Sequence, residues 1–173
     1  MKKLFITLLS FLIISAANAS EEVFNHKVST DVIEIAPFRD VVCKFEQEKT
    51  IPASNATIKS GGDFRFVLKK GVIFETLYPV KYTTSYTSKE NKYVNDIIVG
   101  ISKKNFSQIE KTFDIHYMKQ NEKWVLGLIP KADSPAALQL KNIIIFGQKD
   151  IDRIYINTIN NGSTKLKFSD CQW

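Results

Sequence analysis

Phe113-Asp114-Ile115-His116-Tyr117, the turn Gln120-Asn121-Glu122, and Trp124-Val125-Leu126-Gly127-Leu128 together decide the fold class. On both sides of the turn an apolar residue recurs at every second position. That period belongs to a strand with one buried and one wet face. Working outward, the same alternation appears at Val41-x-Cys43-x-Phe45, Phe64-x-Phe66-x-Leu68, Ile154-x-Ile156 and Leu166-x-Phe168. Lys, Glu, Asp, Asn or Arg often occupy the opposite face, as in antiparallel sheets with one solvated side. Ser60-Gly61-Gly62, Lys70-Gly71, Gly147-Gln148 and Asn160-Asn161-Gly162 read as the turns between these runs. Strands at this spacing predict one large antiparallel sheet that must curl to bury its apolar face.

One segment breaks the rhythm. Val94, Ile97, Ile98 and Ile101 fall at i, i+3, i+4 and i+7 among polar neighbours, which predicts a helix from about Val94 to Lys103. Asn105 or Ser107 restarts a shorter helical turn carrying Phe106 and Ile109, before Phe113. The opening stretch from Val23 to Pro37 reads two ways. Asp31-x-x-Glu34 resembles a capping box, whereas Val32-Ile33-x-Ile35 is β-branched and Pro37 stops any helix early.

The first nineteen residues read as a secretory signal. Lys2 and Lys3 precede an apolar run from Leu4 to Ile14, and Ala17-Asn18-Ala19 fits the small-residue pattern of signal peptidase. The run falls short of the ~20 residues of a stable anchor, so cleavage after Ala19 is expected rather than a retained anchor. No Cys lies just past that point to take a lipid. Residues 20–173 then form a single domain in the periplasm or outside the cell, with no linker or repeat to divide it. The 24 basic residues less Lys2 and Lys3 leave 22 against 18 acidic, a net charge of +4. That excess is mild and dispersed, as in Lys44-Phe45-Glu46, and argues against a nucleic-acid partner.

Cys43 and Cys171 are the only cysteines. An even pair behind an export signal favours a disulfide, with two buried thiols as the alternative. Strand parity opposes the pairing. Cys43 shares a face with Val41 and Phe45, whereas Cys171 shares one with Lys165 and Lys167. A bulge or a strand end near Asp170 removes the conflict.

Signatures of chemistry are missing. His26 and His116 have no ligand-spaced Cys, Asp or Glu around them, and no nucleophile elbow or phosphate loop is present. Glu75, Asp114 and His116 read as residues of a wet strand face. The expectation is a protein that is not an enzyme and holds no metal or cofactor.

Three quoted stretches carry a resemblance: Phe45-Glu46-Gln47-Glu48-Lys49, Ser60-Gly61-Gly62-Asp63-Phe64-Arg65-Phe66, and Phe74-Glu75-Thr76-Leu77-Tyr78-Pro79. With Phe113, Trp124 to Pro130, Ile143 to Gly147 and Leu166-Lys167-Phe168 in the same order, the chain resembles the periplasmic outer-membrane lipoprotein carriers, the LolA-like proteins. The resemblance implies a half-open curled antiparallel barrel, mainly β, closed on its concave side by a helical lid. It implies a soluble monomeric carrier of acylated lipoprotein or lipid cargo, working between an inner-membrane donor transporter and an outer-membrane acceptor. The cavity would be lined by Phe45, Phe64, Phe66, Leu68, Phe74, Phe113, Ile115, Tyr117, Trp124, Leu126 and Leu128. The lid would carry Val94, Ile97, Ile98, Ile101 and Phe106.

The sequence departs from the family in three places. Leu68-Lys69-Lys70 stand where an Arg-Pro pair usually supplies the lid latch, Phe74 replaces a common Trp, and the Cys43/Cys171 pair is not a general feature. These suit a divergent branch, such as one serving a dedicated glycolipid or polyketide-lipid export system. The alternative reading is a non-catalytic lipid-sensing or regulatory module built on the same half-barrel.

Overall fold

The computed structural model describes residues 21–36, 38–68, 70–85 and 92–173, so the signal segment and its cleavage point lie outside the described residues. Nine strands form one antiparallel sheet: β1 (Val41–Ile51), β2 (Ala56–Val67), β3 (Gly71–Tyr78), β4 (Tyr82–Thr84), β5 (Phe113–Gln120), β6 (Lys123–Pro130), β7 (Leu140–Gly147), β8 (Ile151–Thr158) and β9 (Ser163–Gln172). Their order is β4-β3-β2-β1-β9-β8-β7-β6-β5. The sheet curls without closing. Helices α1 (Lys92–Ser102) and α2 (Phe106–Glu110) lie in the connection between its two edge strands.

The concave face collects the residues that the alternation placed on one side. Register puts Cys43 opposite Phe64, Phe64 opposite Phe74, Phe45 opposite Phe168 and Leu126 opposite Ile145. These side chains, α1 and α2 share one core cluster. Burial of each large side chain contributes about 1.5–3 kcal/mol, so the sheet and the helical cover are held by the same apolar contacts.

Helix α1 starts two residues before the predicted Val94 and ends one before Lys103, and Val94, Ile97, Ile98 and Ile101 are all buried. The second helix follows as expected. Ser107 Oγ lies 2.9 Å from Asn105 Oδ1 at its start.

The glycines of Ser60-Gly61-Gly62 are not a turn. They lie inside β2, where a β-bulge shifts the register between Gly61 and Gly62 against β3. A Cβ on Gly62 would meet the backbone carbonyl of Glu75, and one on Gly61 would meet the Tyr78 ring. Glycine in this strand therefore marks close approach of a neighbouring chain, not chain reversal. The reversal comes earlier, at Pro52–Ser54, with Asn55 in the left-handed region.

A bulge also answers the cysteine parity. Lys44 pairs with Ser169 but Val42 pairs with Gln172, so β9 carries one extra residue there. Asp170 absorbs it at φ 51°, and Cys171 turns to meet Cys43 in a disulfide. The bond closes a span of 128 positions. A loop of that length raises stability by about 4–5 kcal/mol on chain-entropy grounds.

The opening stretch is neither helix nor strand over most of its length. It makes short 3-10 turns at Val23–Asn25 and Thr30–Val32 and wraps around the exposed edge of β5. Val28 N donates to Ile115 O at 3.2 Å and Tyr117 N donates to His26 O at 3.0 Å. Before that edge, Val23 packs with Ile144 and Phe146 on the convex face. Beyond it, Ile35 and Phe38 enter the concave core. One strap thus covers an edge and fills both faces.

Candidate functional site

At one end of the concave face the curl leaves a groove of about 500 Å³ between the sheet and α1. Phe45, Phe74, Leu166, Ile156 and Val94 form its apolar lining. Each faces inward because it shares strand parity with core residues, except Val94, which comes from the buried stripe of α1. Gln47, Thr76, Thr83, Thr84 and Thr164 add amide and hydroxyl groups to the lining, with Lys49 and Tyr82. Gln47 Nε2 donates to Ser60 Oγ at 3.2 Å, across the strands that paired them. Among the described residues, no Asp or Glu lines the groove.

Deeper under α1 the interior is nearly filled. A void of only about 20 Å³ remains among Phe38, Phe64, Phe66, Ile98 and Phe168, little more than the space of one water. Phe38 accounts for much of the filling. Its ring stands edge-on to Phe66 and stacks on Trp124, with centroids 6.5 Å apart in both cases. Nothing in the alternation marks Phe38, because it precedes β1 in irregular backbone.

The predicted cavity residues therefore divide. Phe45 and Phe74 line the open groove, while Phe64 and Phe66 border the small inner void. Phe113 is buried beside Tyr93 of α1, whose ring lies edge-on to it at 6.4 Å. Ile115, Leu126 and Leu128 are packed within the core. Tyr117 and Trp124 also anchor backbone: Tyr117 Oη donates to Glu34 O at 3.0 Å, and Trp124 Nε1 donates to Gln148 O at 2.9 Å. Leu68 is not among them. Strand β2 ends at Val67, and Leu68 sits exposed in the following turn with its N–H bonded to Asp40 Oδ1. Of the lid residues, Val94 meets the groove and Ile98 the void, whereas Ile97, Ile101 and Phe106 are buried in the core.

Helix α1 is tied to the sheet by a polar contact. Val72 at the start of β3 lies beyond the short pairing with β4, which reaches only from Phe74 to Thr76. Its N–H donates instead to Asn95 Oδ1 of α1 at 3.0 Å. Asn95 thus ties α1 to the β3 backbone. The pattern reading placed Asn95 among the polar neighbours of the helix, and nothing in the sequence distinguishes it from them.

His116 is buried rather than exposed, at 7%. The alternation put it correctly on the convex face, but the strap covers that face and the Phe24 ring stands edge-on to it at 5.6 Å. Its Nδ1 has no hydrogen-bond partner among the described residues. Burial holds its pKa below the ordinary imidazole value, nearby Lys27 adds to this, and Asp114 opposes it. Lys27 and Asp114 form an ion pair beside it at 3.0 Å. Among the described residues, no group of three or more His, Cys, Asp or Glu side chains is placed to hold a metal ion. No helix among them is long and apolar enough to cross a membrane.

No family model and no curated protein matches the chain. Among solved structures it is similar to a LolA superfamily protein from Nitrosomonas europaea, with 9% identity, 88% of this chain and 92% of that one covered, and a TM-score of 0.40. It is similar also to a candidate outer membrane lipoprotein-sorting protein domain from Vibrio parahaemolyticus, at 11% identity, 90% and 92% coverage and a TM-score of 0.31. A DUF1329 family protein from Desulfovibrio piger matches at 7% identity, 89% and 92% coverage and a TM-score of 0.34. The similarity spans most of the length of each.

Proposed function

We propose that this protein is a non-enzymatic, monomeric carrier that shields the acyl chains of lipoproteins or related lipids, glycolipids included, in its concave groove. The observation that supports this is the groove itself, an apolar floor of Phe45, Phe74 and Leu166 under a helix held by an apolar stripe and one polar latch. Its volume lies within the usual range for small-ligand sites. Each CH₂ left in water costs about 0.8 kcal/mol, so a long chain does not cross an aqueous space unshielded at a useful rate. The carrier receives its cargo from an inner-membrane donor and delivers it to an outer-membrane acceptor. Its compartment is the periplasm, where the Cys43–Cys171 disulfide is maintained.

A second reading, a lipid-sensing module, draws on the nearly void-free interior beneath Ile98, which admits no chain there unless α1 moves. Transfer of a fluorescent acylated peptide between donor and acceptor vesicles separates the two. The carrier reading predicts transfer through solution that rises with protein concentration and falls for Thr164→Trp, which fills the groove. Tight binding with no transfer supports the sensor, and neither binding nor transfer by the folded protein removes both.

A further inference from the structure

The groove carries charge information as well as apolar surface. Lys49 lies on the inward parity of β1 with Phe45 and Gln47, at the end where the strand leaves the core. Its cross-strand neighbours are Ile58 on β2 and Thr164 on β9, neither of them charged. Lys27, Lys44, Lys59, Lys92 and Lys119 each lie within ion-pair distance of an Asp or Glu, and of the lysines that do not, Lys49 is the one that borders this groove. Among the described residues Lys49 has no such partner, and none of those lining the groove it borders is a carboxylate. The Thr164 hydroxyl, directly across from Lys49, and the Gln47 amide two residues inward on β1 supply neutral hydrogen-bonding groups beside it.

We infer that the groove selects an amphiphile with an anionic headgroup, a carboxylate or a phosphate, held at Lys49 while its hydrocarbon runs inward over Phe45 and Phe74. The inference rests on the acyl-binding reading above and adds the headgroup. An ammonium at the mouth favours an anion through a charge-assisted hydrogen bond, and the Thr164 hydroxyl across from it adds a neutral donor that does not repel the anion. A cationic headgroup there would face Lys49 with no counter-charge. Because the mouth is open to solvent, the preference weakens as salt rises.

The test is displacement of a neutral fluorescent apolar probe by four amphiphiles of equal chain length, each below its micelle concentration. They are a long-chain carboxylate, an alkyl phosphate, a monoacylglycerol and an alkyl trimethylammonium. Wild-type protein should take at least one anion about tenfold more tightly than the monoacylglycerol, and the cation least of all. The ratio between carboxylate and phosphate identifies the source of the anion. Lys49→Gln should erase the preference and Lys49→Glu should invert it, both with unchanged melting because the side chain is exposed. Equal binding of anionic and neutral chains overturns the headgroup inference and leaves the acyl site standing. A preference that survives in Lys49→Gln overturns the assignment to Lys49. Failure of every chain to displace or bind overturns the acyl site itself.

Discussion

Replacing Asn95 by Ala tests whether α1 is a cover or simply part of the core. The side chain accepts one hydrogen bond, from Val72 N–H at 3.0 Å in a part-buried position, and its loss leaves that donor without its partner. Such a loss costs about 1–3 kcal/mol, nearer 1 where water reaches the freed group. Asn→Ala also improves intrinsic helix propensity, which offsets about half a kcal/mol. A net loss of about 1 kcal/mol multiplies the open population of a latched cover roughly fivefold. The assay is native-state hydrogen exchange of the α1 amides alongside the association rate of an apolar probe. Asp96→Ala on the same helix is the reference, because it removes only the exposed Lys92–Asp96 pair, worth about 0.3–0.5 kcal/mol. The expected outcome is faster exchange confined to α1 and faster probe association in Asn95→Ala, with neither change in Asp96→Ala. Equal destabilisation of every strand, with no change in probe association, refutes the reasoning and makes α1 core.

Three other outcomes follow from the same geometry. Reduction of the disulfide, or the pair Cys43→Ser with Cys171→Ser, should lower unfolding free energy by about 2–5 kcal/mol in denaturant melts; a loss below ~1 kcal/mol contradicts the closed span of 128 positions. Gly62→Ala should cost at least ~2 kcal/mol, since the new methyl meets backbone of β3 that cannot rotate away. A variant as stable as wild type would disprove that close approach. Burial lowers the pKa of His116, so the unfolded chain binds this proton more readily than the folded one. Its contribution is therefore intact above the ordinary imidazole pKa of about 6.5 and lost progressively as pH falls from there to the lowered folded-state value. Melting measured across that interval should drop for wild type and flatten in His116→Gln, and parallel profiles would remove His116 as the cause.

The strand alternation made most of the concave face legible, because a period of two fixes which side chains share a face whatever the curl. The alternation put Phe45 and Leu166 on apolar strand faces, the resemblance singled out Phe74, and the 3.6 period put Val94 and Ile98 on one helix stripe. All five line the groove or the inner void, although Leu166 carries no cavity expectation. What escaped has physical reasons. Phe38 and Ile35 reach the core from irregular backbone that has no period. Leu68 continues the alternation, but its strand stops at Val67, so the pattern overran the structure. His116 was assigned its correct face, yet burial there depends on a strap from residues far away in sequence. Gly61 and Gly62 look like a turn because glycine permits both reversal and close approach, and only the neighbouring strand decides which. The parity conflict of Cys171 was itself the useful signal, since it pointed to the bulge at Asp170.

The claim that an acyl chain occupies the groove is tested most directly by native mass spectrometry of the protein isolated, without detergent, from the compartment that holds it. The account predicts a mass adduct that fragmentation identifies as an acylated lipid or lipopeptide, present on wild type and absent from Thr164→Trp, with both proteins melting cooperatively. A wild-type protein that is folded, disulfide-bonded and free of any acyl adduct, and that takes none up from lipid vesicles, contradicts it.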